Sequence, residues 1–180
     1  MRALAFLAFL LIPAVVTGQT STAARLSLQA AAGPTVIGGG HALSAALGFS
    51  PVSRLDLLVN VERVHLPFEL ERLAGGYSTT RGGTLTFVSG ELRVALMAVD
   101  RVSPFLLVGA GGGSSHPNVN AQFPDRITND LRVLFVGGGV RVPLRQRFNL
   151  VGDVRGLLAL ENDDGVIAIL PVRLGVAWRF

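Results

Sequence analysis

The feature that most constrains this chain is a period of two. In its last segment, "VRLGVAWRF", Val172, Leu174, Val176, Trp178 and Phe180 occupy alternate positions, and Arg173, Gly175, Ala177 and Arg179 lie between them. Successive side chains of a β-strand point to opposite faces. As a strand, this segment has one wholly apolar face and one that carries two guanidinium groups. The same scheme recurs upstream. Leu26, Leu28, Ala30 and Ala32 oppose Ser27 and Gln29; Leu43, Ala45, Leu47 and Phe49 oppose Ser44, Ala46 and Gly48. Leu55, Leu57, Val59 and Val61 oppose Asp56, Asn60 and Glu62, and Leu92, Val94 and Leu96 oppose Glu91 and Arg93. Phe148, Leu150, Val154, Leu158 and Leu160 oppose Asn149, Asp153, Arg155 and Glu161. Alternation sustained in this way argues for half-buried strands, and the 22 glycines spread through the apolar stretches disfavour helix.

The pattern predicts eight strands, over residues 24–37, 41–50, 55–66, 83–99, 104–116, 129–143, 148–161 and 166–180. The links 50–54, 100–103 and 144–147 are tight, whereas 67–83 and 117–128 are long and polar. The short links 38–40 and 162–165 fall with the long ones by parity, so tight and long connections alternate between two ends. Phe49, Phe105 and Phe148 lie beside tight links and Trp178 and Phe180 end the chain at that level. These five aromatics are expected to form an interfacial girdle. Two strands change phase. Leu85 and Phe87 are odd-numbered but Leu92 and Val94 even, and Leu131, Val133 and Phe135 are odd but Val140 and Val142 even. One inserted residue flips every following side chain, so bulges are expected at Gly90 and at the glycines 137–139.

The segment before the first strand has another character. Arg2, the apolar run from Ala3 to Val16 and the small Gly18 have the order of a secretory signal. The expected organisation is a signal peptide over 1–18 and a single barrel domain over 19–180. The sequence contains no cysteine, so the fold holds without disulfides and no thiol-linked lipid anchor is expected.

The polar face decides the barrel's polarity. It collects Asp56, Glu62, Glu91, Asp153 and Glu161 with Arg93, Arg141, Arg155, Arg173 and Arg179. Charged residues make up only 16% of the chain against about 25% in ordinary globular domains, and the opposite face is long and aliphatic. That face needs a partner sheet or lipid. In a membrane barrel it points outward, and the balanced charges fill an interior just wide enough for side chains. Every basic residue is arginine, whose forked donors suit such buried pairing.

Signal segment, alternating strands, "PFLLVGAGGG", "GGGVRVPL" followed by "RFNLVGDVRG", and the terminal "LGVAWRF" together resemble the eight-stranded bacterial outer-membrane β-barrel family. The resemblance spans about residues 24–180. It implies an all-β, antiparallel up-and-down transmembrane barrel in the outer membrane of a Gram-negative cell, with both mature ends in the periplasm. It also implies that Leu174, Val176, Trp178 and Phe180 act as the signal read by the outer-membrane insertion machinery. It does not imply one activity, because the family includes structural proteins, adhesins, small channels and a few lipid-modifying enzymes.

Other chemistry has weak support in the residues. "GAGGGSSHP" lacks the lysine and following helix of a phosphate-cradling loop. His41, His65 and His116 fall near the long-loop rim without metal-ligand spacing. Ser115 and His116 are adjacent and so face opposite ways, and Ser114 and His116 share a face without an orienting carboxylate. The arginines are scattered singly between acids, unlike a nucleic-acid patch. The expectation is a monomeric outer-membrane barrel with a charge-plugged interior, a structural or loop-mediated role, no catalysis, no cofactor and no metal. Its partners would be the lipid bilayer and the insertion machinery, with no nucleic acid. The alternatives are a soluble lipocalin-like barrel that binds an apolar ligand, and a small-conductance channel.

Overall fold

A computed structural model describes residues 25–67, 69–73, 76–80, 82–97, 102–118, 128–145, 147–161 and 166–180. The expected signal segment and the centre of the loop 117–128 lie outside these. Every regular element among the described residues is a β-strand: β1 (Arg25–Pro34), β2 (His41–Val52), β3 (Leu55–Leu66), β4 (Glu69–Leu73), β5 (Gly76–Thr80), β6 (Gly83–Ala95), β7 (Ser103–Pro117), β8 (Asn129–Arg145), β9 (Phe148–Glu161), β10 (Val166–Ile169) and β11 (Val172–Arg179).

Around the sheet the strands pair antiparallel in chain order, with β3 pairing β6 past the separate β4–β5 pair, and β11 pairs back to β1 from Ser27↔Arg179 to Ala32↔Leu174. The sheet is therefore closed. It has eight staves, because β10 and β11 run in line against β9. The break in that last stave falls at Leu170 and Pro171. Proline has no N–H for the ladder, and its carbonyl instead accepts from Arg155 N at 3.1 Å. The β1–β2 link turns through Gly38, Gly39 and Gly40 at φ of 88°, 65° and 82°, a left-handed path that glycine follows without strain. The long link 67–83 holds more order than its polar composition suggests: β4 and β5 pair there as a separate two-stranded hairpin.

The closed wall sorts side chains by polarity in the unusual direction. Val154, Leu174 and Val176 point outward at 42, 60 and 44% exposure, while Asp153, Arg155 and Arg173 point inward at 4, 0 and 3%. The sorting holds from stave to stave. Leu26, Leu47, Val59, Val88, Leu106 and Val136 are exposed, whereas Gln29, Asn60, Ser89 and Ser103 are buried.

The expected bulges at Gly90 and at 137–139 are absent. Pairing of β6 with both neighbours runs without a shift past Gly90, and pairing of β8 runs without a shift through the three glycines. Register shifts occur instead beside tight turns, between Phe49 and Val52 and between Pro143 and Arg145. The phase change in the sequence has another cause. Leu85, Phe87, Leu131, Val133 and Phe135 keep their parity and point inward. The interior toward the long-loop end is thus apolar, filled by these side chains with Val64, Leu66, Leu157, Ala159 and Ile169. Hydrophobic residues on the inner face serve as packing there, as in a soluble core.

Phe105 also departs from expectation. It is 3% exposed and belongs to the interior, not to the girdle. Its neighbours Pro104 and Leu106 take the outer face, and strand parity overrides closeness to the turn. Phe49, Phe148, Trp178 and Phe180 do lie on the outer surface at the tight-turn end. The Phe148 and Trp178 rings stack with centroids 6.5 Å apart, and Trp178 meets Phe180 at 5.2 Å.

Candidate functional site

The chemically distinctive place in this fold is the charged middle of the barrel. Strand geometry builds it directly. Glu91 and Arg93 are two apart on β6, and Asp153 and Arg155 two apart on β9, so each pair shares the inner face. Glu62 comes from β3 and Arg173 from β11. The arc of the barrel brings these six charges into one connected cluster, three of each sign.

Arg173 is the most fully engaged. Its Nε and Nη2 donate to Asp153 Oδ1 and Oδ2 at 3.1 and 3.0 Å, a forked pair. Its Nη1 donates to Glu62 Oε2 at 2.6 Å and to Ser44 Oγ at 3.0 Å. Arg155 Nε donates to Asp153 Oδ1 at 2.9 Å, and its Nη2 lies 2.8 Å from Glu91 Oε2. Its Nη1 lies 3.7 Å from Glu62 Oε2. Neither Nη of Arg155 meets an acceptor in aligned geometry, so these last two contacts are charge attraction rather than directed hydrogen bonds. Arg93 pairs with Glu91, donates from Nη1 to Gln29 Oε1 at 2.8 Å, and approaches Asp153 at 4.0 Å. Asn60 Nδ2 donates to Glu91 Oε2 at 3.0 Å.

Nearer the tight-turn end sits a second, smaller group. Arg141 pairs with Asp56, and Ser50 Oγ donates to the other Asp56 oxygen. Arg179 is half-buried and within electrostatic reach of Asp56 and Arg141. The backbone of Glu161 pairs with Leu131 at the long-loop end of β9; its side chain lies outside the described residues.

Two phenylalanines frame the charges. Arg93 lies 5.0 Å from the Phe105 ring centroid and Arg155 5.0 Å from that of Phe135. The ring faces add attraction for guanidinium beyond their packing. Both rings owe their place to glycine. Phe135 stands directly across from Gly109, and Phe105 from Gly139. A Cβ on Gly109 would run into the Phe135 ring, and one on Gly139 would come 2.6 Å from Phe105 Cζ. The glycine clusters of β7 and β8 thus provide room inside the wall. Strand parity carried the signal for both rings, since Phe105 and Phe135 are in phase with Ser103 and Arg141.

The charges pack closely at one side of the cluster. The void among Gln29, Ser44, Asn60, Arg93, Asp153 and Arg173 is about 10 Å3, close to the room one water occupies. Among the described residues no group of three or more His, Cys, Asp or Glu side chains converges as metal ligands. His41 and His65 do face one another, with ring centroids 5.3 Å apart. Ser115 is buried and points inward while Ser114 and His116 face outward, so no serine–histidine pair forms through Ser115.

No family model and no curated protein sequence matches the chain. Solved structures do. The N-terminal β-barrel domain of Pseudomonas aeruginosa OprF superposes with a TM-score of 0.62 at 13% identity, covering 87% of this chain and 97% of that one. Neisserial surface protein A gives 0.60 at 12% identity, covering 87 and 96%. A major outer-membrane protein of Thermus thermophilus gives 0.57 at 18% identity, covering 88 and 100%. Closed antiparallel connectivity, eight staves and likeness to these structures agree: the chain has the all-β fold of the small eight-stranded outer-membrane barrels.

Proposed function

We propose that the protein is a monomeric integral outer-membrane barrel whose interior is a structural plug, and whose role is structural or mediated by its long loops. The observation that carries this reading is the inverted polarity of the wall. A continuous aliphatic exterior is stable only against lipid, and buried charges are tolerated only where they neutralise one another. The void of only about 10 Å3 among the central charges favours a plug over a channel. The described residues of the charged cluster include no nucleophile–base pair, which favours a non-catalytic role.

In this reading residues 1–18 are removed on export and the tight turns face the periplasm together with both mature ends. Phe49, Phe148, Trp178 and Phe180 anchor the periplasmic interface. Leu174, Val176, Trp178 and Phe180 present the pattern taken up by the insertion machinery. Of the ten charges on the polar face, Asp56, Glu62, Glu91, Arg93, Arg141, Asp153, Arg155 and Arg173 form the plug, with Arg179 at its edge, and Glu161 is proposed to extend it.

Envelope fractionation tests the location. The protein is expected in the detergent-extracted membrane fraction, with an unheated gel mobility different from that of the boiled chain. Recovery in the soluble fraction with heat-insensitive mobility would defeat the proposal. Planar-bilayer recordings test the plug, for which no stepwise conductance is expected.

A further inference from the structure

The outer wall is not aliphatic all the way to the long-loop rim. On four adjacent staves it turns polar early, and every histidine of the chain is there. His41 on β2 pairs directly with His65 on β3, His65 with Thr84 on β6, and Thr84 with His116 on β7. This is one straight row across the sheet. All four side chains have the outward parity of their strands; His41 and His116 are exposed, His65 and Thr84 partly so. One step closer to mid-wall, Arg63 pairs across from Thr86, and Thr86 across from Ser114, again on the outer face. His65 Nδ1 and Thr84 Oγ1 are 3.5 Å apart, so the row is continuous.

On the outer face of β2, β3, β6 and β7 the charge has one sign. Among the described residues of β2, β3, β6 and β7, the carboxylates are Asp56, Glu62 and Glu91, and all three are buried inside the barrel. Arg63 pairs with Leu43 on one side and Thr86 on the other, with His65 two residues along β3. The patch ends at β8, where the outward-facing Asp130 pairs directly across from Ser114 and Arg132 follows two residues on. Beside and immediately below Arg63 the wall is aliphatic: Leu43 lies level with it, and Val61 and Val88 pair one step nearer mid-wall, all three more than half exposed.

The geometry points to a docking surface for a phosphate-bearing membrane lipid in the leaflet at the long-loop end. The lipid's acyl chains lie along Leu43, Val61 and Val88, and its phosphate meets the Arg63 guanidinium and the donors of the histidine–threonine row. Complementary charge and unbroken continuity with the lipid-facing wall select this occupant. A guanidinium forks onto phosphate oxygens, and a basic side chain at a membrane surface favours anionic lipid. The inference rests on the membrane reading above.

The absence of cysteine allows the test to be local. A bimane label on Thr86→Cys reports from inside the patch. The same label on Val166→Cys, an exposed aliphatic position of β10 at the same end, reports from the opposite wall. The folded barrel is placed in phosphatidylcholine bilayers containing either doxyl-labelled phosphatidic acid, whose headgroup is a bare phosphate, or doxyl-labelled phosphatidylcholine. At Thr86→Cys, half-quenching is expected at about fivefold less phosphatidic acid than phosphatidylcholine, the factor expected of one arginine at a membrane surface. At Val166→Cys the two quenchers should be equal. R63Q/H65Q in the Thr86→Cys background should bring the two curves together, and R63K should restore part of the gap. Equal quenching at Thr86→Cys, or a gap that survives R63Q/H65Q, overturns the inference. If labelled phosphatidylcholine quenches neither position, the lipid-facing wall itself is refuted, an outcome distinct from loss of headgroup preference.

Discussion

Arg173 and Glu62 are 111 residues apart in sequence, and a guanidinium nitrogen of one donates to a carboxylate oxygen of the other at 2.6 Å in the centre of the barrel. The same arginine forks onto Asp153. A contact of this kind exists only once the first and last staves have closed, so the network acts as a latch on the cylinder. Its loss should therefore register as loss of the folded barrel.

Arg155, fully buried and between three carboxylates, is the most sensitive position. Arg155→Gln should destabilise by about 3–5 kcal/mol, the range for removing one partner of a buried ion pair. Arg155→Glu should cost more, since it leaves four carboxylates to two cations, Arg93 and Arg173. Arg54→Glu, on an exposed turn, should stay within about 0.5 kcal/mol. Urea titration of the folded gel species in lipid vesicles measures all three. Equal tolerance of Arg155→Glu and Arg54→Glu would contradict the plug.

The Asp56–Arg141 pair stands apart from the six-charge cluster and should behave as a removable unit. Asp56→Leu and Arg141→Met should each destabilise by about 3 kcal/mol, because each strands a buried charge. The double substitution should recover most of that loss, because buried pairs are often replaceable by apolar packing. A double mutant as unstable as the sum of the singles would show that Arg179 or other charges depend on this pair.

Two glycines separate room from flexibility. Beside Gly90, nothing lies within 4 Å of an added Cβ, whereas at Gly109 the Phe135 ring occupies that place. Gly90→Ala is expected within about 0.5 kcal/mol of the parent. Gly109→Ala should cost about 1–3 kcal/mol through overpacking. Gly109→Ala combined with Phe135→Leu should regain part of it. The same urea titration decides.

Leu174 is 60% exposed on the outer wall. Leu174→Arg should destabilise the bilayer-inserted barrel by about 2–4 kcal/mol, as charged residues do on a lipid face near mid-membrane. A water-soluble barrel would accept the same arginine on its surface without loss, so an unchanged unfolding midpoint would oppose the lipid-facing assignment.

Strand count, order and wall polarity were largely legible from local pattern, because the two faces of a strand are set by parity alone. Asp153 and Val154 face opposite ways in any strand that contains them, and the same-strand pairs Glu91/Arg93 and Asp153/Arg155 follow from a spacing of two. Parity also contained the answer for Phe105, but its nearness to a turn suggested the girdle. The apolar inner residues Leu85, Phe87, Leu131 and Val133 suggested a flipped face, because a single hydrophobic scale does not distinguish contact with lipid from contact with other side chains.

Period-two alternation, then, determined that this chain forms amphipathic strands, that tight and long links alternate between two ends, and which residues share a face. It did so because those properties depend on each strand's own geometry. Tertiary structure decided what the faces meet. Closure of β1 on β11 brought Arg173 and Arg155 to partners on distant staves, and the register of β7 against β8 set Phe105 and Phe135 against glycines on the adjacent strand. The registers of β2, β3, β6 and β7 brought three histidines into one row outside. Such contacts depend on the register between strands, and no single strand encodes that register.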